Sequence, residues 1–200
     1  MSAKVGEVVC RIVGMPESLR EHLVDVGVDL LETDGFSALG LRAIARAAGV
    51  SHGAPRRWFP THAALLAAIA ARGFGELIER FAVLATIDDP RERLRRMAVD
   101  YVDFAVSRPE MFTLMFRHDL LAGSGENLRA TTRPLYGQVV ELVAAVAPES
   151  APQRALALWT NVHGLATIAV NRTLDIVAPD QDPRTLVDRI VREHLAGLSG

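Results

Sequence analysis

The sequence predicts an all-α protein, and three observations carry that prediction. Apolar residues recur at steps of three or four, and no segment shows the strict alternation that is typical of a half-buried strand. Pro16, Pro90, Pro109 and Pro183 stand where helices would begin, because the first turn of a helix does not need the N–H that proline lacks. The chain has 200 residues, 50% of them hydrophobic, which is enough to bury a sizeable core.

The helices follow in order between proline and polar clusters, with loops predicted at 122–127, 147–153 and 177–182. In the helix that begins at Pro90, an apolar residue recurs at each turn, so one face of this helix is predicted to be buried. That face consists of Leu94, Met97, Tyr101 and Phe104. The predicted helices, about nine in number, span residues 16–34, 41–48, 52–58, 61–84, 90–107, 109–117, 125–146, 152–174 and 183–197.

Composition and charge restrict the class of protein. The 22 basic and 24 acidic residues give a net charge of −2, so any binding to nucleic acid must come from a local basic patch. Cys10 is the single cysteine, which excludes a disulfide within the chain and a cysteine-based zinc site, and this usage is typical of a reducing compartment. The longest uncharged stretch, residues 155–171, includes polar side chains and is shorter than the ~20 apolar residues of a membrane span. We therefore expect a cytoplasmic protein in which this stretch is a core helix.

Residues 41–59, LRAIARAAGVSHGAPRRWF, have the pattern of a helix-turn-helix. Ile44 and Ala45 give the first helix an apolar side, Gly49 supplies the left-handed residue that ends it, and the Ser51 hydroxyl is placed to cap the next helix. Residues 41–62 contain four arginines and no acidic residue. The basic patch thus coincides with the helix that would enter a DNA groove.

Residues 23–69 resemble the DNA-binding region of the tetracycline-repressor (TetR) family of transcriptional regulators. The resemblance is carried by Asp25, by the turn at 34–36, by Ile44-Ala45, by the run Ala48-Gly49-Val50-Ser51, by Gly53-Ala54-Pro55, and by Phe59-Pro60-Thr61 leading into Leu65-Leu66. It implies that the third helix lies in the major groove and that the start of the fourth contacts the DNA backbone. The residues that we expect at the DNA surface are Arg42, Ser51, His52, Gly53, Ala54, Arg56, Arg57, Trp58 and His62.

Within that set the resemblance implies groove-facing roles for His52, Gly53, Ala54 and Arg57, and phosphate roles for the positions of Gly40, Arg56, Trp58 and His62. Four positions depart from the usual pattern of the family. The family usually has Ser or Thr at Gly40, Tyr at Arg56, His or Tyr at Trp58, and Lys at His62. The contacts are therefore expected to shift towards arginine, and Trp58 has the alternative role of a hydrophobic lock against the fourth helix.

The C-terminal half is expected to hold an effector. Trp159, His163 and Gly164, with the segment 108–112, resemble a C-terminal domain type of the same family, marked by a tryptophan followed by a His-Gly pair. Trp159, His163 and Thr167 share one helix face, and such polar groups in apolar surroundings can orient a ligand or simply pack the core. The predicted pocket residues are Phe104, Met111, Phe112, Met115, Phe116, Tyr136, Trp159, His163 and Thr167.

A two-fold dimer is expected because a groove-reading helix-turn-helix binds two half-sites. Small and aliphatic residues on two C-terminal helices form the candidate interface, which comprises Leu156, Thr160, Gly164, Ile168, Leu186 and Ile190. Gly73 and Gly75 are places where the helix that links the two halves could bend.

The sequence thus predicts a ligand-responsive transcriptional regulator, with a repressor as the first reading. Residues 1–74, including an arm over 1–15, would form the DNA-binding domain, and residues 75–200 the effector-binding and dimerisation domain. The expected partners are a palindromic operator in double-stranded DNA, a small apolar effector and a second copy of the chain, with no membrane and no cofactor. An architectural DNA-binding protein is an alternative class. An enzyme or a metal site would need a convergent set of titratable groups, which His118 and Asp119 alone do not supply, since adjacent helical residues point in different directions.

Overall fold

The computed structural model describes residues 16–125 and 127–196, and the side chains from residue 19 onward, so Cys10 and the predicted arm lie outside the described part. Within these ranges the chain is all-α, as predicted. The α-helices are α1 (Pro16–Asp34), α2 (Leu41–Ala47), α3 (His62–Val83), α4 (Pro90–Ser107), α5 (Pro109–Met115), α6 (His118–Leu121), α7 (Leu128–Val146), α8 (Ala151–Val170), α9 (Thr173–Val177) and α10 (Pro183–Ala196). Short 3-10 helices lie at Phe36–Ala38, Pro55–Arg57 and Leu84–Thr86.

The four predicted proline starts are confirmed, because α1, α4, α5 and α10 each begin at the predicted proline. At α4 the preceding Asp89 also caps the helix, since its side chain accepts a hydrogen bond of 3.1 Å from the N–H of Arg91. Asn127 caps α7 in the same way by accepting from the N–H of Ala130 at 3.2 Å. The sequence therefore marks these helix starts by local chemistry alone.

The helix predicted over 152–174 is two helices, which corrects the sequence-based prediction. After α8 ends at Val170, Arg172 adopts a left-handed conformation with φ of 62°, and this reverses the chain locally. The side chain of Asn171 accepts a hydrogen bond from the N–H of Thr173 at 3.0 Å and so begins the short helix α9. Apolar spacing does not report this break, because it continues on both sides.

The N-terminal helices pack around α3. Leu23 and Leu31 of α1 and Leu65 and Ile69 of α3 are fully buried. Helix α1 can approach α3 closely because Gly27 has no side chain, and a Cβ placed there would lie 2.6 Å from the Cδ1 of Ile69. This contact sets α1 against the helix that carries the rest of the fold.

Helix α3 is uninterrupted at Gly73 and Gly75, where the sequence suggested a bend. Gly73 has a packing role in this structure, since an added Cβ would lie 2.6 Å from the Sδ of Met115 and 2.7 Å from the Cγ of Met111. Helix α5 therefore lies directly on α3 at this glycine. The predicted domain boundary near residue 74 falls inside α3, which contributes buried residues on both sides of it.

Helices α4, α8 and α10 pack against one another, α7 packs on α4 and α8, and both α4 and α7 also contact α3. Val187 and Val191 of α10 are fully buried, and Arg95 of α4 forms an ion pair with Asp188 of α10 at 2.6 Å. Asp103 of α4 makes a second ion pair with α10. No helix in the described ranges is long and apolar enough to cross a membrane, and the stretch 155–171 contributes buried residues to α8.

Candidate DNA-binding surface and ligand cavity

The turn after α2 has the geometry that its sequence predicts. Gly49 is left-handed, with φ of 68°, and the N–H groups of Gly49 and Val50 donate to the carbonyls of Arg46 and Ala45 at 3.2 and 3.0 Å. This pair of bonds is a Schellman motif, which satisfies the last carbonyls of α2. The prediction of a glycine-terminated first helix is confirmed.

The second half of the motif is shorter than predicted. In place of an α-helix over 52–58, the structure has a turn followed by a single 3-10 turn at Pro55–Arg57. Pro55 cannot donate a backbone hydrogen bond, and Pro60 disfavours helical geometry at the residue before it, so regular helix has little room between them. The predicted cap by the Ser51 hydroxyl is wrong. The backbone carbonyl of Ser51 accepts from the N–H of Ala54 at 2.9 Å, and no side chain caps the 3-10 helix.

The arginines of this region are directed to solvent. Arg42, Arg46, Arg56 and Arg57 are all exposed, and none forms an ion pair with another residue of the described ranges. Of the other residues predicted at the DNA surface, Ser51, His52 and Gly53 are exposed and Ala54 is half-buried. The surface thus presents uncompensated positive charge, which is what phosphate binding requires.

Trp58, Phe59 and His62 attach this surface to the core. Phe59 is buried, and the half-buried Trp58 packs against the same core. The Nε2 of His62 donates to the carbonyl of Leu39, which fixes the start of α3 to the loop before α2. At that loop Gly40 is the N-cap of α2 and supplies no side-chain hydrogen bond.

A cavity of about 620 Å³ lies between α3, α4, α7 and α8. Its volume is in the range of pockets that hold small molecules. The walls are mainly aromatic and aliphatic, and no Asp or Glu belongs to them. The lining residues are Phe74, Leu77, Phe81, Leu94, Met97, Ala98, Tyr101, Phe116, His118, Thr132, Arg133, Leu135, Tyr136, Gly137, Val139, Leu156, Leu158, Trp159 and Val162.

The structure brings three of the nine predicted pocket residues, Phe116, Tyr136 and Trp159, to this wall. The other six do not line it. The buried members of that group are Phe104, Met111, Phe112 and Met115, which pack the core around α5. His163 is half-buried behind Trp159, and the exposed Thr167 donates its hydroxyl to the carbonyl of His163 at 2.8 Å.

Trp159, Tyr101 and His163 form one hydrogen-bonded cluster at the cavity wall. The His163 ring stacks on Trp159 with ring centres 4.9 Å apart, and its Nδ1 lies 2.8 Å from the Tyr101 hydroxyl. The Tyr101 hydroxyl donates this bond when the imidazole proton of His163 is on Nε2.

Burial sets the charge state of this cluster. It raises the pKa of the Tyr101 phenol, an effect that the hydrogen bond from Trp159 partly offsets, and it lowers the pKa of His163. Both rings are therefore uncharged near neutral pH. The cluster therefore adds no charge to the cavity wall.

Sequence reasoning missed the residues of α3 and α4 that line the cavity. Leu94, Met97 and Tyr101 were predicted to be buried through their helical spacing, and the same spacing includes Phe104, which lies outside the wall. Spacing along one helix identifies a buried face. It does not show where the neighbouring helices leave a space beside that face.

One arginine links the two halves of the molecule. Arg108, between α4 and α5, donates to Glu32 of α1 at 3.0 Å and to Glu76 of α3 at 3.0 Å. All three side chains are about a quarter to a third exposed, so the ion pairs are only partly screened by water. The position of α5 is thereby tied to α1, the first helix of the DNA-binding region.

The candidate dimer interface is an open surface in one protomer. Leu156 is 52% exposed, Thr160 and Gly164 are exposed, and a Cβ added at Gly164 would meet no atom within 4 Å. We call this stripe of α8, together with the half-buried Ile168, the α8 stripe. Leu186 and Ile190 of α10 are half-buried, and Ile190 lines one groove with Ile168 of the stripe.

No metal-binding group was found among the described residues. Asp119, which adjoins His118 in sequence, instead pairs with Arg117 at 2.9 Å. That exposed pairing lowers the pKa of Asp119, mainly through the hydrogen bond from Arg117.

Comparison with known families decides the classification. The family described as "Bacterial regulatory proteins, tetR family" matches residues 23–69, and "Tetracyclin repressor-like, C-terminal domain" matches residues 94–194. The chain belongs to the TetR family. The resemblance recognised in the sequence is thereby confirmed.

Individual relatives and solved structures are consistent with this assignment. An HTH-type transcriptional regulator from the dhlA 5′ region of Xanthobacter autotrophicus is 24% identical over 177 residues, which is 82% of this chain and 88% of that protein. A protein of unknown function from Rhodococcus sp. RHA1 has a TM-score of 0.80 and 29% identity, over 97% of this chain and 100% of that one. The fold is also that of NalD from Pseudomonas aeruginosa, the secondary repressor of the MexAB-OprM multidrug efflux pump, with a TM-score of 0.64 and 21% identity over 91% of this chain and 96% of NalD.

Membership of the TetR family establishes the general function. The family consists of DNA-binding transcriptional regulators that respond to ligands, so this chain is a ligand-responsive DNA-binding regulator. The helix-turn-helix prediction and the prediction of a regulatory C-terminal half are consistent with that function.

Proposed function

We propose that the chain is a homodimeric repressor that leaves a palindromic operator when a small, largely apolar effector enters the cavity. Residues 1–74 act as the DNA-binding domain and residues 75–200 as the effector-binding and dimerisation domain. The protein works at the chromosome in the cytoplasm, without a cofactor and without a catalytic step. The sign of regulation is supported by NalD, a repressor of the same fold.

The observation that carries this proposal is that α3 runs without a break from the DNA-binding region to the cavity. Helix α3 begins at His62, next to the exposed arginines, and the same unbroken helix presents Phe74, Leu77 and Phe81 to the cavity. A molecule in the cavity therefore contacts the helix whose first residue is hydrogen-bonded to the DNA-binding region. We call the turn at 51–58 the recognition turn. A shift of α3 would change the distance between the two recognition turns of a dimer, and that distance must match the spacing of successive major grooves.

Helix α5 offers a second connection. Phe116, which follows α5, lines the cavity, and α5 packs on α3 at Gly73. Arg108 at the start of α5 is paired with Glu32 of α1. An effector that moves the end of α5 therefore acts on α1 and α3 together.

Selection of bound sequences from random duplex DNA tests the DNA-binding part of the proposal with the full-length chain. We expect a palindrome whose half-sites are centred about 10 base pairs apart, or a multiple of that, because the two recognition turns must lie on one face of the duplex. Recovery of unrelated sequences with equal frequency would support the alternative of an architectural DNA-binding protein.

Arg56 and Arg57 are expected to contribute to operator binding in different ways. If Arg56 contacts phosphate, Arg56→Ala weakens binding to all duplexes alike and lowers the salt slope by about 1. If Arg57 contacts a base edge, Arg57→Ala costs about 1–3 kcal/mol and relaxes the preference at one position in each half-site. Salt titrations on the selected operator and on single-base variants measure both effects.

Arg96→Ala is the matched control for these two variants, because Arg96 is an exposed arginine of α4 outside the DNA-binding region. Its operator affinity should equal that of the unchanged protein. Normal affinity and an unchanged base preference in both Arg56→Ala and Arg57→Ala would place the DNA contact outside the turn at 51–58.

A further inference from the structure

The polar groups at the cavity wall fall into two sets. The hydroxyl of Tyr101 is hydrogen-bonded to His163, and the hydroxyl of Tyr136 donates to the carbonyl of Pro152, so both are satisfied within the protein. Arg133 of α7 and His118 of α6 have no side-chain partner among the described residues. Among the described residues of the wall, the groups without a partner therefore include Arg133, His118 and the hydroxyl of Thr132, and Arg133 is the permanently charged one.

The ionisable side chains that could give the cavity wall a charge near neutral pH are both basic. Arg133 and His118 face a cavity to which no carboxylate contributes, while the remaining walls are mostly aromatic and aliphatic. Arg133 is also exposed, so it lies where the cavity opens to solvent. A guanidinium fork at the edge of an apolar space matches a carboxylate that stays partly hydrated while its apolar body is buried.

We propose that the effector is an amphipathic organic anion whose carboxylate lies at Arg133 and His118 and whose apolar body lies against Phe74, Leu77 and Met97. This inference rests on the proposed function, in which the cavity is the effector site. In this proposal the polar group of the effector is bound by His118 of α6 and Arg133 of α7. The sequence had suggested His163 for this role. A ligand cation would be repelled by Arg133, and a neutral molecule would leave that charge unused.

The position of the anion also explains how its binding reaches the DNA-binding region. His118 follows the end of α5 by three residues, and Met111 and Met115 of α5 lie on Gly73 of α3. A carboxylate held between α6 and α7 draws the end of α5 towards the cavity opening. The apolar body acts on α3 directly.

The test uses the full-length protein and three probes with the same ten-carbon chain, namely decanoate, decan-1-ol and decyltrimethylammonium, below their micelle concentrations. We expect calorimetry to give an affinity for decanoate about tenfold higher than for decan-1-ol, with the ammonium probe weakest. In Arg133→Met, which keeps an apolar stem but removes the charge, decanoate should bind no better than decan-1-ol. Arg129→Met is the matched control, since Arg129 is an exposed arginine of the same helix outside the cavity wall, and it should keep the preference.

Three results would overturn the anion proposal. They are equal binding of decanoate and decan-1-ol by the unchanged protein, survival of the carboxylate preference in Arg133→Met, and absence of binding by all three probes. Operator release, measured with the same probes, separates this proposal from the proposed function. Release by decan-1-ol as effectively as by decanoate would retain the regulator and reject the anion, whereas Arg133-dependent binding without release would retain the anion site and reject effector control.

Discussion

Gly164→Trp is expected to convert the protein from a dimer to a monomer without unfolding it. An indole ring at the centre of the α8 stripe would hold apart any helix that packs there, because Gly164 is the smallest residue of that stripe. Within the protomer the ring has room, since an added Cβ would meet no atom within 4 Å. Sedimentation should therefore show a species close to the chain mass of 21.7 kDa, with the helical circular dichroism retained.

Two further variants test whether the α8 stripe is the dimer interface. Ile190→Glu places a charge next to the α8 stripe, where dimerisation would bury it without a partner, so it should also give monomers. Gly75→Trp is the matched control, because Gly75 is another helical glycine with open space around an added Cβ, and it should remain a dimer. Dimers that persist in both Gly164→Trp and Ile190→Glu would place the interface elsewhere.

The loss of the dimer should also be visible in DNA binding. In the proposed complex each recognition turn contacts one half-site, and a dimer gains affinity because the second half-site is bound as part of the same complex. A monomeric Gly164→Trp protein should therefore bind the full operator only about as well as a single half-site. Equal affinity of this variant and the unchanged protein for the full operator would show that dimerisation is not needed for binding.

Local chemistry explains which parts of the fold could be predicted from the sequence. A proline in the first turn of a helix, or a glycine that must be left-handed, acts within a few residues, so Pro90, Pro109 and Gly49 can be interpreted without knowledge of the fold. The helix-turn-helix was recognisable for the same reason. The break at Arg172 was not, since neither a proline nor a glycine marks it.

The cavity depends on packing between helices that are distant in sequence, which is why its walls were only partly predicted. Tyr101 and Phe104 belong to the same buried face of α4, three residues apart, yet only Tyr101 lines the cavity. The difference arises because Tyr101 adjoins the space left by α3, α7 and α8, whereas Phe104 is surrounded by packed side chains. Helical periodicity is the same for both residues.

Phe104→Ala is therefore expected to destabilise the protein by removing a core side chain. The free energy of unfolding should fall by about 3–5 kcal/mol. The Phe104 ring is 0% exposed and the Arg80 guanidinium lies over it, 5.4 Å from the ring centre. Removing the ring leaves a void that its packed neighbours fill only in part, and this adds to the lost burial of apolar surface. Urea unfolding in the monomeric Gly164→Trp background measures the effect without a dependence on protein concentration.

Val106→Ala is the control for this measurement, because Val106 is on the same helix and 49% exposed, and its loss should be within about 0.5 kcal/mol. Below its unfolding transition, Phe104→Ala should bind decanoate with unchanged affinity, since Phe104 does not line the cavity. A reduced affinity for decanoate with unchanged unfolding would instead place Phe104 at the ligand, as the sequence first suggested. A stability loss no larger than that of Val106→Ala would mean that the packing around α4 relaxes to fill the void.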